Sequence, residues 1–210
     1  MSEFFASKIE PITPELIEAL ERRGFEAEAF VRLDTGVGHS IQHPGALAVP
    51  YREGGRIVGL TLNQADAFTV LGGYLDMVVA YNADSLTDAS LQQQPLIVTD
   101  SPDACWAAMM AGCLRTVDVP STGVPAVSII EQYAKQLEQV REIILCIYAD
   151  EHGDNLREDL AVALGRERCR WVKYPKGCAN LAQALKQYAT KGVQETIKRA
   201  QWFATPASMR

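Results

Sequence analysis

Carboxylate side chains cluster directly after two apolar segments in the second half of the chain. The segments are PLIVT at 95–99 and EIILCIY at 142–148. The carboxylates that follow them are Asp100, Asp103, Asp150, Glu151 and Asp154. Carboxylates that converge at one edge of a sheet can hold Mg²⁺, because this hard cation takes oxygen ligands and keeps several waters. The spacing therefore indicates metal-assisted chemistry on phosphate groups.

A purely structural role explains the same residues. Asp100 precedes Ser101-Pro102, and Asp150 precedes a second predicted helix. Aspartate is favoured at such positions, because its side-chain oxygen accepts a hydrogen bond from a free backbone N–H and its charge suits the helix dipole. The spacing alone leaves helix capping and metal binding both open.

The segments that must position these acids alternate between strand and helix. The predicted strands are 95–99, 115–119, 142–148 and 169–174. The predicted helices cover 101–112, 126–139, 154–164, 179–190 and 192–202. This alternation predicts right-handed crossovers and a mainly parallel sheet with helices on both faces. Ligands of such sheets bind at the carboxyl ends of the strands, which is where the acids fall.

The first half of the chain has a different pattern. A helix is predicted over 11–24, with Thr13 as its cap and Gly24 at its end. Short apolar runs follow at 47–51, 56–62 and 77–81, with a glycine turn between the first two. We expect a small, mostly antiparallel α+β subdomain over residues 1–90 and an α/β domain with C-terminal helices over 91–210. The polar segment 85–94 is predicted to link them.

Composition limits the function. The net charge of −6 counts against a nonspecific nucleic-acid coat, because such binding depends on Lys and Arg neutralising phosphates. No apolar run reaches the about 18 residues of a membrane span, so we expect a cytoplasmic protein without membrane contact. One local basic stretch consists of Arg166, Arg168, Arg170, Lys173 and Lys176. A solvated edge and a nucleic-acid contact both fit this stretch.

Three segments, in this order, resemble the Toprim domain of primases, and in particular that of phage and mitochondrial primase-helicases. They are PLIVTDSPDACWAAMMAG at 95–112, IILCIYADEHGDNLREDLAVALG at 143–165 and CRWVKYPKGCANLAQAL at 169–185. The upstream segments ITPELIEALERRGFEAEAF and LAVPYREGGRIVGLTL resemble the helix and small sheet that precede that domain. The resemblance covers 12–203 and implies a Toprim-like α/β fold.

The resemblance also implies roles for single residues, and the sequence departs from several. In the family, a Glu of the first motif is a general acid or base or a metal ligand, and two Asp of the second motif hold Mg²⁺. Here Asp100 stands at the Glu position, Tyr148 at the first Asp and Asp150 at the second. In the closing motif, Ala179 and Asn180 replace a Lys and an Asp. The resemblance therefore implies degenerate catalytic motifs.

The catalytic candidates that remain are Asp100 and Asp150. The candidate metal ligands are Asp100, Asp150, Glu151 and Asp154. We expect them to bind Mg²⁺ or Mn²⁺ weakly, or to have lost this binding. The candidate nucleic-acid contacts are Arg168, Arg170, Lys173 and Lys176.

By resemblance, we expect a DNA primase-like protein of phage, plasmid or other mobile-element replication, with impaired catalysis. If active, it is a Mg²⁺-dependent nucleotidyltransferase. Its expected partners are single-stranded DNA and replication proteins such as a helicase. The sequence leaves two alternatives open: a noncatalytic nucleic-acid or replication-protein binding module on the same scaffold, and an unrelated α/β protein that reached these spacings by chance.

Overall fold

The computed structural model describes residues 8–33, 35–41, 43, 45–64, 70–73, 79–119 and 126–203, with only the backbone described at 70–73. The chain divides into two compact units, Met1–Asp84 and Ser85–Arg210. The predicted linker at 85–94 is instead part of the second unit. The Ser85 hydroxyl donates to the carbonyl oxygen of Thr116 (3.2 Å), and Leu91 is buried.

The first unit contains an antiparallel sheet and two helices. Its strands are β1 Ile9–Glu10, β2 Gly38–Ser40, β3 Ala46–Glu53, β4 Arg56–Gln64 and β5 Val70–Gly73, hydrogen-bonded in that order. Its helices are α1 Pro14–Arg22 and α2 Ala27–Arg32. The predicted cap of α1 is confirmed, since Thr13 Oγ1 accepts the N–H of Leu16. Gly24 has a φ of 88°, a left-handed conformation that stops the helix at little cost only for glycine.

The prediction of a third strand at 77–81 is wrong for residues 79–81, which are the ones that the structure describes. Residues 77 and 78 lie outside the described part, Val79 and Ala80 have no regular structure, and Tyr81 forms an isolated bridge. The strand that pairs with β4 is β5. Its sequence, VLGG, gives a weak strand signal, because two of its four residues offer no side chain to pack.

The second unit alternates strands and helices as predicted. Its strands are β6 Leu96–Thr99, β7 Thr116–Asp118, β8 Ile143–Cys146, β9 Cys169–Trp171 and β10 Gln201–Trp202. Its helices are α3 Pro102–Met110, α4 Ala126–Gln132, α5 Ala134–Leu137, α6 Glu151–Leu164 and α7 Leu181–Lys198.

One helix prediction in this unit is wrong at its end. The predicted helices 179–190 and 192–202 form α7, which is broken at Ala189 (φ 53°, ψ −168°) and ends at Lys198. Residues 201–202 are β10, antiparallel to β9. The pairing of Trp202 with Arg170 decides this, and a pairing between distant segments leaves no trace in local helical periodicity.

The sheet order β10-β9-β8-β6-β7 fixes where a ligand can bind. The strands β6 to β9 are parallel, and β7 lies on one side of β6 while β8 lies on the other. Right-handed crossovers therefore place α3 on one face of the sheet and α4 with α6 on the other. The chain reverses direction across the sheet between β6 and β8, so a crevice forms outside their carboxyl ends.

The strands at the centre of this sheet are almost entirely apolar. β6 and β8 are buried along their whole length, as a sheet covered on both faces requires. None of the described helices has the length and apolar character needed to cross a membrane.

Candidate functional site at the carboxyl ends of the parallel strands

Asp100 lies in the crevice between β6 and β8. Its Oδ2 accepts the backbone N–H of Tyr148, the second residue after β8, at 2.9 Å. Its Oδ1 is buried and has no hydrogen-bond partner among the described residues. Burial raises the pKa of Asp100 from 3.8 to about 6, the Tyr148 N–H opposes this shift, and the charges of Asp103 and Asp150 add to it. The carboxylate joins the two strand ends and keeps one oxygen free.

Asp118 adds a carboxylate that the sequence reasoning missed. It ends β7 in parallel register with Thr99 and is completely buried. Thr99 Oγ1 donates to its Oδ1 at 3.4 Å, while its Oδ2 has no partner in the described part of the chain. Burial, and then the charges of Asp100 and Asp103, raise the pKa of Asp118 well above its ordinary value. One sequence signal could have found it: an acid inside a strand that is predicted to be buried on both faces.

Asp103 completes what we call the buried acidic cluster, Asp100, Asp103 and Asp118. It stands in the first turn of α3, is buried, and accepts the N–H of Ala104 at 3.0 Å. Tyr174, three residues after β9, approaches the same cluster. Burial raises the pKa of the Tyr174 phenol, with the carboxylates of Asp100 and Asp103 acting in the same direction, and its hydroxyl has no described partner.

The acids that follow β8 are exposed, and two of them form hydrogen bonds or ion pairs within α6. Asp150 is the N-cap of α6, and its Oδ1 accepts the N–H of Gly153 at 2.7 Å. Asp154 pairs with Arg157 at 2.8 Å, and Glu151 faces solvent. The capping role that the sequence left open is therefore present at Asp150.

The predicted ligand set lies at one edge of the sheet without forming a ready metal site. Within the described ranges, no three His, Cys, Asp or Glu side chains come together so as to hold a metal ion by themselves. Binding of Mg²⁺ or Mn²⁺ by Asp100, Asp150, Glu151 and Asp154 stays a prediction.

The predicted basic contacts separate into two pairs. Arg168 donates to the carbonyl oxygens of Leu137 (2.7 Å) and Val140 (2.9 Å). Arg170 donates to Glu142 (2.6 Å) and stacks over Trp202. These two guanidinium groups hold the protein together, because each meets acceptors from segments distant in sequence.

Lys173 and Lys176 remain exposed. Of the four predicted contacts, they are the two that the geometry leaves open to a ligand.

Comparison with known proteins gives a consistent result at the level of fold. No family model and no curated protein sequence matches the chain. The E. coli primase catalytic core is 14% identical with a TM-score of 0.69, and the match covers 96% of this chain and 78% of that one. The DnaG primase catalytic domain bound to ssDNA is 13% identical with a TM-score of 0.68, covering 96% and 78%. The primase fragment of the bacteriophage T7 primase-helicase protein is 16% identical with a TM-score of 0.66, covering 85% and 73%.

At such identities the likeness concerns the fold. The chain has the fold of primase catalytic domains: a Toprim-like α/β unit preceded by a small antiparallel one, as the resemblance predicted.

Proposed function

We propose that the chain is a primase-like protein of phage, plasmid or other mobile-element DNA replication, whose Mg²⁺-dependent nucleotidyl transfer is impaired. The observation that carries the proposal is the pairing of a primase fold with an altered turn after β8. Tyr148 stands where the resemblance implies a metal ligand, and this residue is 38% exposed. The Asp150 oxygen that could replace it already caps α6.

The chemistry requires more acid oxygens than this turn supplies. Nucleotidyl transfer uses cations to neutralise phosphate charge and to align the attacking and leaving oxygens, and a two-metal site needs several shared carboxylates. A neutral phenol adds no negative ligand. Asp100 stays usable, because a carboxyl with a pKa of about 6 is largely ionised at pH 8. The turn thus supports weak binding of one cation more readily than two.

The catalytic candidates in this proposal are Asp100 and Asp150. Asp100 offers its Oδ1, and Asp150, Glu151 and Asp154 stand at the start of α6, which follows the strand β8 that pairs with β6, and would add an oxygen from that side. An Mg²⁺ or Mn²⁺ ion bound there would neutralise the phosphates of an incoming nucleotide.

Primer synthesis tests this proposal. Incorporation of labelled nucleotides on a single-stranded template is measured with Mg²⁺ and with Mn²⁺, for the parent chain and for Tyr148→Asp. We expect weak incorporation by the parent. Because the substitution returns an acid to the turn, incorporation by Tyr148→Asp should be higher by about tenfold or more. Vigorous incorporation by the parent that falls in Tyr148→Asp would show that catalysis is not impaired.

A matched pair separates metal ligation from helix capping. Asn is as good an N-cap as Asp, so Asp150→Asn should keep α6 intact while removing a charge. A ligand role is supported if incorporation is lost in Asp150→Asn and unchanged in Asp159→Asn, an exposed site on the same helix. Absence of incorporation by every variant in both metals rejects the enzyme and leaves the second candidate.

The second candidate is a noncatalytic module that binds single-stranded DNA or replication proteins such as a helicase. An exposed surface at the same sheet edge favours it. The Ala149 N–H donates to the carbonyl oxygen of Ala179 (2.8 Å), and the Tyr188 hydroxyl donates to that of Lys176 (3.2 Å). These bonds bring the exposed residues Tyr148 and Tyr188 to the segment that follows β9 and carries Lys173 and Lys176. Aromatic rings beside basic groups suit single strands, because bases stack and phosphates are neutralised.

Fluorescence anisotropy with a labelled oligonucleotide tests this candidate. We expect the double substitution Lys173→Glu and Lys176→Glu to weaken binding and to flatten its salt dependence, since each lysine neutralises a phosphate. The double substitution Lys135→Glu and Lys186→Glu, at two other exposed sites, is the charge-matched control. Equal binding by the double variant and the parent would reject this surface as the contact.

A further inference from the structure

The helix pair of the first unit leaves apolar side chains at the surface. The buried side of α1 and α2 includes Leu16, Leu20 and Phe30, each at most 3% exposed. Val31, the residue after Phe30, is 82% exposed, and Ile17 on α1 is only half-buried. Apolar residues of both helices therefore remain outside the core.

These residues line a hollow with a volume of about 540 Å³. Its large apolar lining residues are Ile9, Ile12, Ile17, Phe30, Val31 and Val37. A second hollow of about 520 Å³ shares Ile17, Ala27 and Glu28 with the first and extends to Gly24 and Phe25, between the two helices. We call the two together the α1–α2 groove. Each has a size that is usual for a binding pocket.

The charged residues that the structure describes in the lining of this groove are all acids. They are Glu10, Glu21, Glu26 and Glu28, and all four are exposed. Two of them have long contacts with neighbours outside the lining: Glu10 with His39 at 3.8 Å and Glu26 with Arg32 at 3.9 Å. Exposed pairs of this kind are weak. The groove therefore combines apolar side chains with negative charge.

This combination does not suit a nucleic acid. A single strand needs Lys or Arg beside its phosphates and exposed rings on which its bases can stack. The described lining contains no Lys or Arg, and its two aromatic residues, Phe25 and Phe30, are buried. An apolar and acidic surface is instead complementary to a protein segment that carries apolar and basic side chains.

We propose that the α1–α2 groove docks an amphipathic helix of a partner protein. The apolar face of this helix would lie against Ile17 and Val31, and flanking Lys or Arg residues would pair with Glu21 and Glu28. Helices bind apolar grooves in this way, with apolar anchors on successive turns. The site involves residues of the first unit only and does not depend on the proposed function.

Two labelled synthetic peptides test the docking site on the whole chain by fluorescence anisotropy. One is a leucine–lysine helix with all its leucines on one face, and the other has glutamate in place of every lysine. Because opposite charges attract and like charges repel, we expect the parent to bind the lysine peptide about tenfold or more tightly than the glutamate peptide. Equal affinity for the two peptides would overturn the proposal.

Charge reversal locates the binding. The double substitution Glu21→Lys and Glu28→Lys should reverse the preference, so that the glutamate peptide binds more tightly. The charge-matched control is Glu53→Lys with Glu138→Lys, at two exposed sites outside the groove, and should keep the preference of the parent. A control pair that changes the preference as much as the groove pair would mean that net charge alone drives binding, which rejects the site.

The apolar contact has its own matched pair. Val31→Ser removes an apolar anchor and should weaken binding of the lysine peptide by about fivefold to tenfold, as expected for a valine that becomes buried on binding. Val162→Ser, at a valine of α6 that is 67% exposed, should bind as the parent does. Because both valines are exposed, both variants should keep the thermal midpoint of the parent. Equal affinities of the two variants would reject the groove.

Other occupants give different results. Residues 1–7 carry Phe4 and Phe5 and precede the groove residue Ile9. Binding of the lysine peptide only after removal of residues 1–7 would assign the groove to the chain's own amino terminus. A parent that is dimeric in solution and becomes monomeric in Val31→Ser would assign it to a second copy of the chain. Either result overturns the proposal of a partner helix.

Discussion

Two sets of aspartates stand at the same edge of one sheet and have opposite surroundings. Asp100, after β6, is half-buried and Asp118, at the end of β7, is fully buried, and each has one buried carboxylate oxygen without a partner among the described residues. Asp150 and Asp154, after β8, are exposed. Asp150 accepts a hydrogen bond from a backbone N–H, and Asp154 forms an ion pair with Arg157. Residue type and position along a strand therefore do not determine whether a carboxylate is free for a ligand.

The helices that follow β6 and β8 account for the difference between Asp100 and Asp150. α6 begins with ordinary residues, so the N–H of Gly153 is available to Asp150. α3 begins with Pro102, which has no N–H, and its cap Ser101 makes no side-chain capping bond. The N–H of Ala104 is used by Asp103. The start of α3 thus has few donors left for Asp100, whose Oδ1 has no partner among the described residues.

The largest effect is expected at Gly153, which brings the start of α6 against the turn after β8. A Cβ at this position would lie 1.9 Å from the carbonyl oxygen of Tyr148. Because the obstacle is backbone, we expect Gly153→Ala to lower the free energy of unfolding by about 3 kcal/mol. Chemical denaturation measures this, with the exposed His152→Ala as control. A loss no greater than that of the control would mean that the turn adjusts freely.

The next effect is the pH dependence caused by Asp100. Its folded pKa of about 6 lies above the usual 3.8, so between these values the folded state binds more protons and stability falls as pH rises. Relative to the parent, Asp100→Asn should be neutral at pH 4 and more stable by about 2 kcal/mol at pH 7, in metal-free buffer. Denaturation across this range measures the difference. A constant difference at every pH would show that Asp100 is not desolvated.

A smaller effect is expected at the exposed set. Asp150→Ala removes the cap of α6 and should cost about 1 kcal/mol, whereas Asp150→Asn keeps a capping oxygen and should cost far less. No gain of stability is expected from either variant, in contrast to Asp100→Asn. Denaturation at pH 7 compares the three. A stabilising Asp150→Asn would place Asp150 with the buried acids and remove the contrast between the two sets.

The smallest effect is expected for the ion pair of Asp154 and Arg157. Asp154 is well exposed, so a double-mutant cycle with alanine at both positions should give a coupling free energy of about 0.5 kcal/mol or less. The same cycle repeated in high salt should give a still lower value. A coupling of several kcal/mol would mean that Asp154 is as strongly desolvated as Asp118.

Much of the fold was predictable from local patterns. β6, β8 and their flanking helices follow from apolar runs of strand length alternating with helical periodicity. The misses depend on distant partners. Val70–Gly73 is a strand only because β4 pairs with it, and Gln201–Trp202 only because β9 does.

The candidate site was predictable in part. Asp100 and Asp150 follow apolar strands directly, so their place at the carboxyl edge could be expected. The internal bonds of Arg168 and Arg170 could not, because their acceptors are distant in sequence. Asp118 carried one usable signal, an acid inside a strand that is predicted to be buried on both faces, but its register with Thr99 could not be predicted.

The sequence by itself determined the alternation of strands and helices, and with it the edge of the sheet where the acids collect, because local periodicity and parallel crossovers follow from short-range patterns. Only the tertiary structure decided which acids are buried and which are paired. That outcome depends on the register of β6 with β7 and on the donors at each helix start, and both arise when distant segments meet.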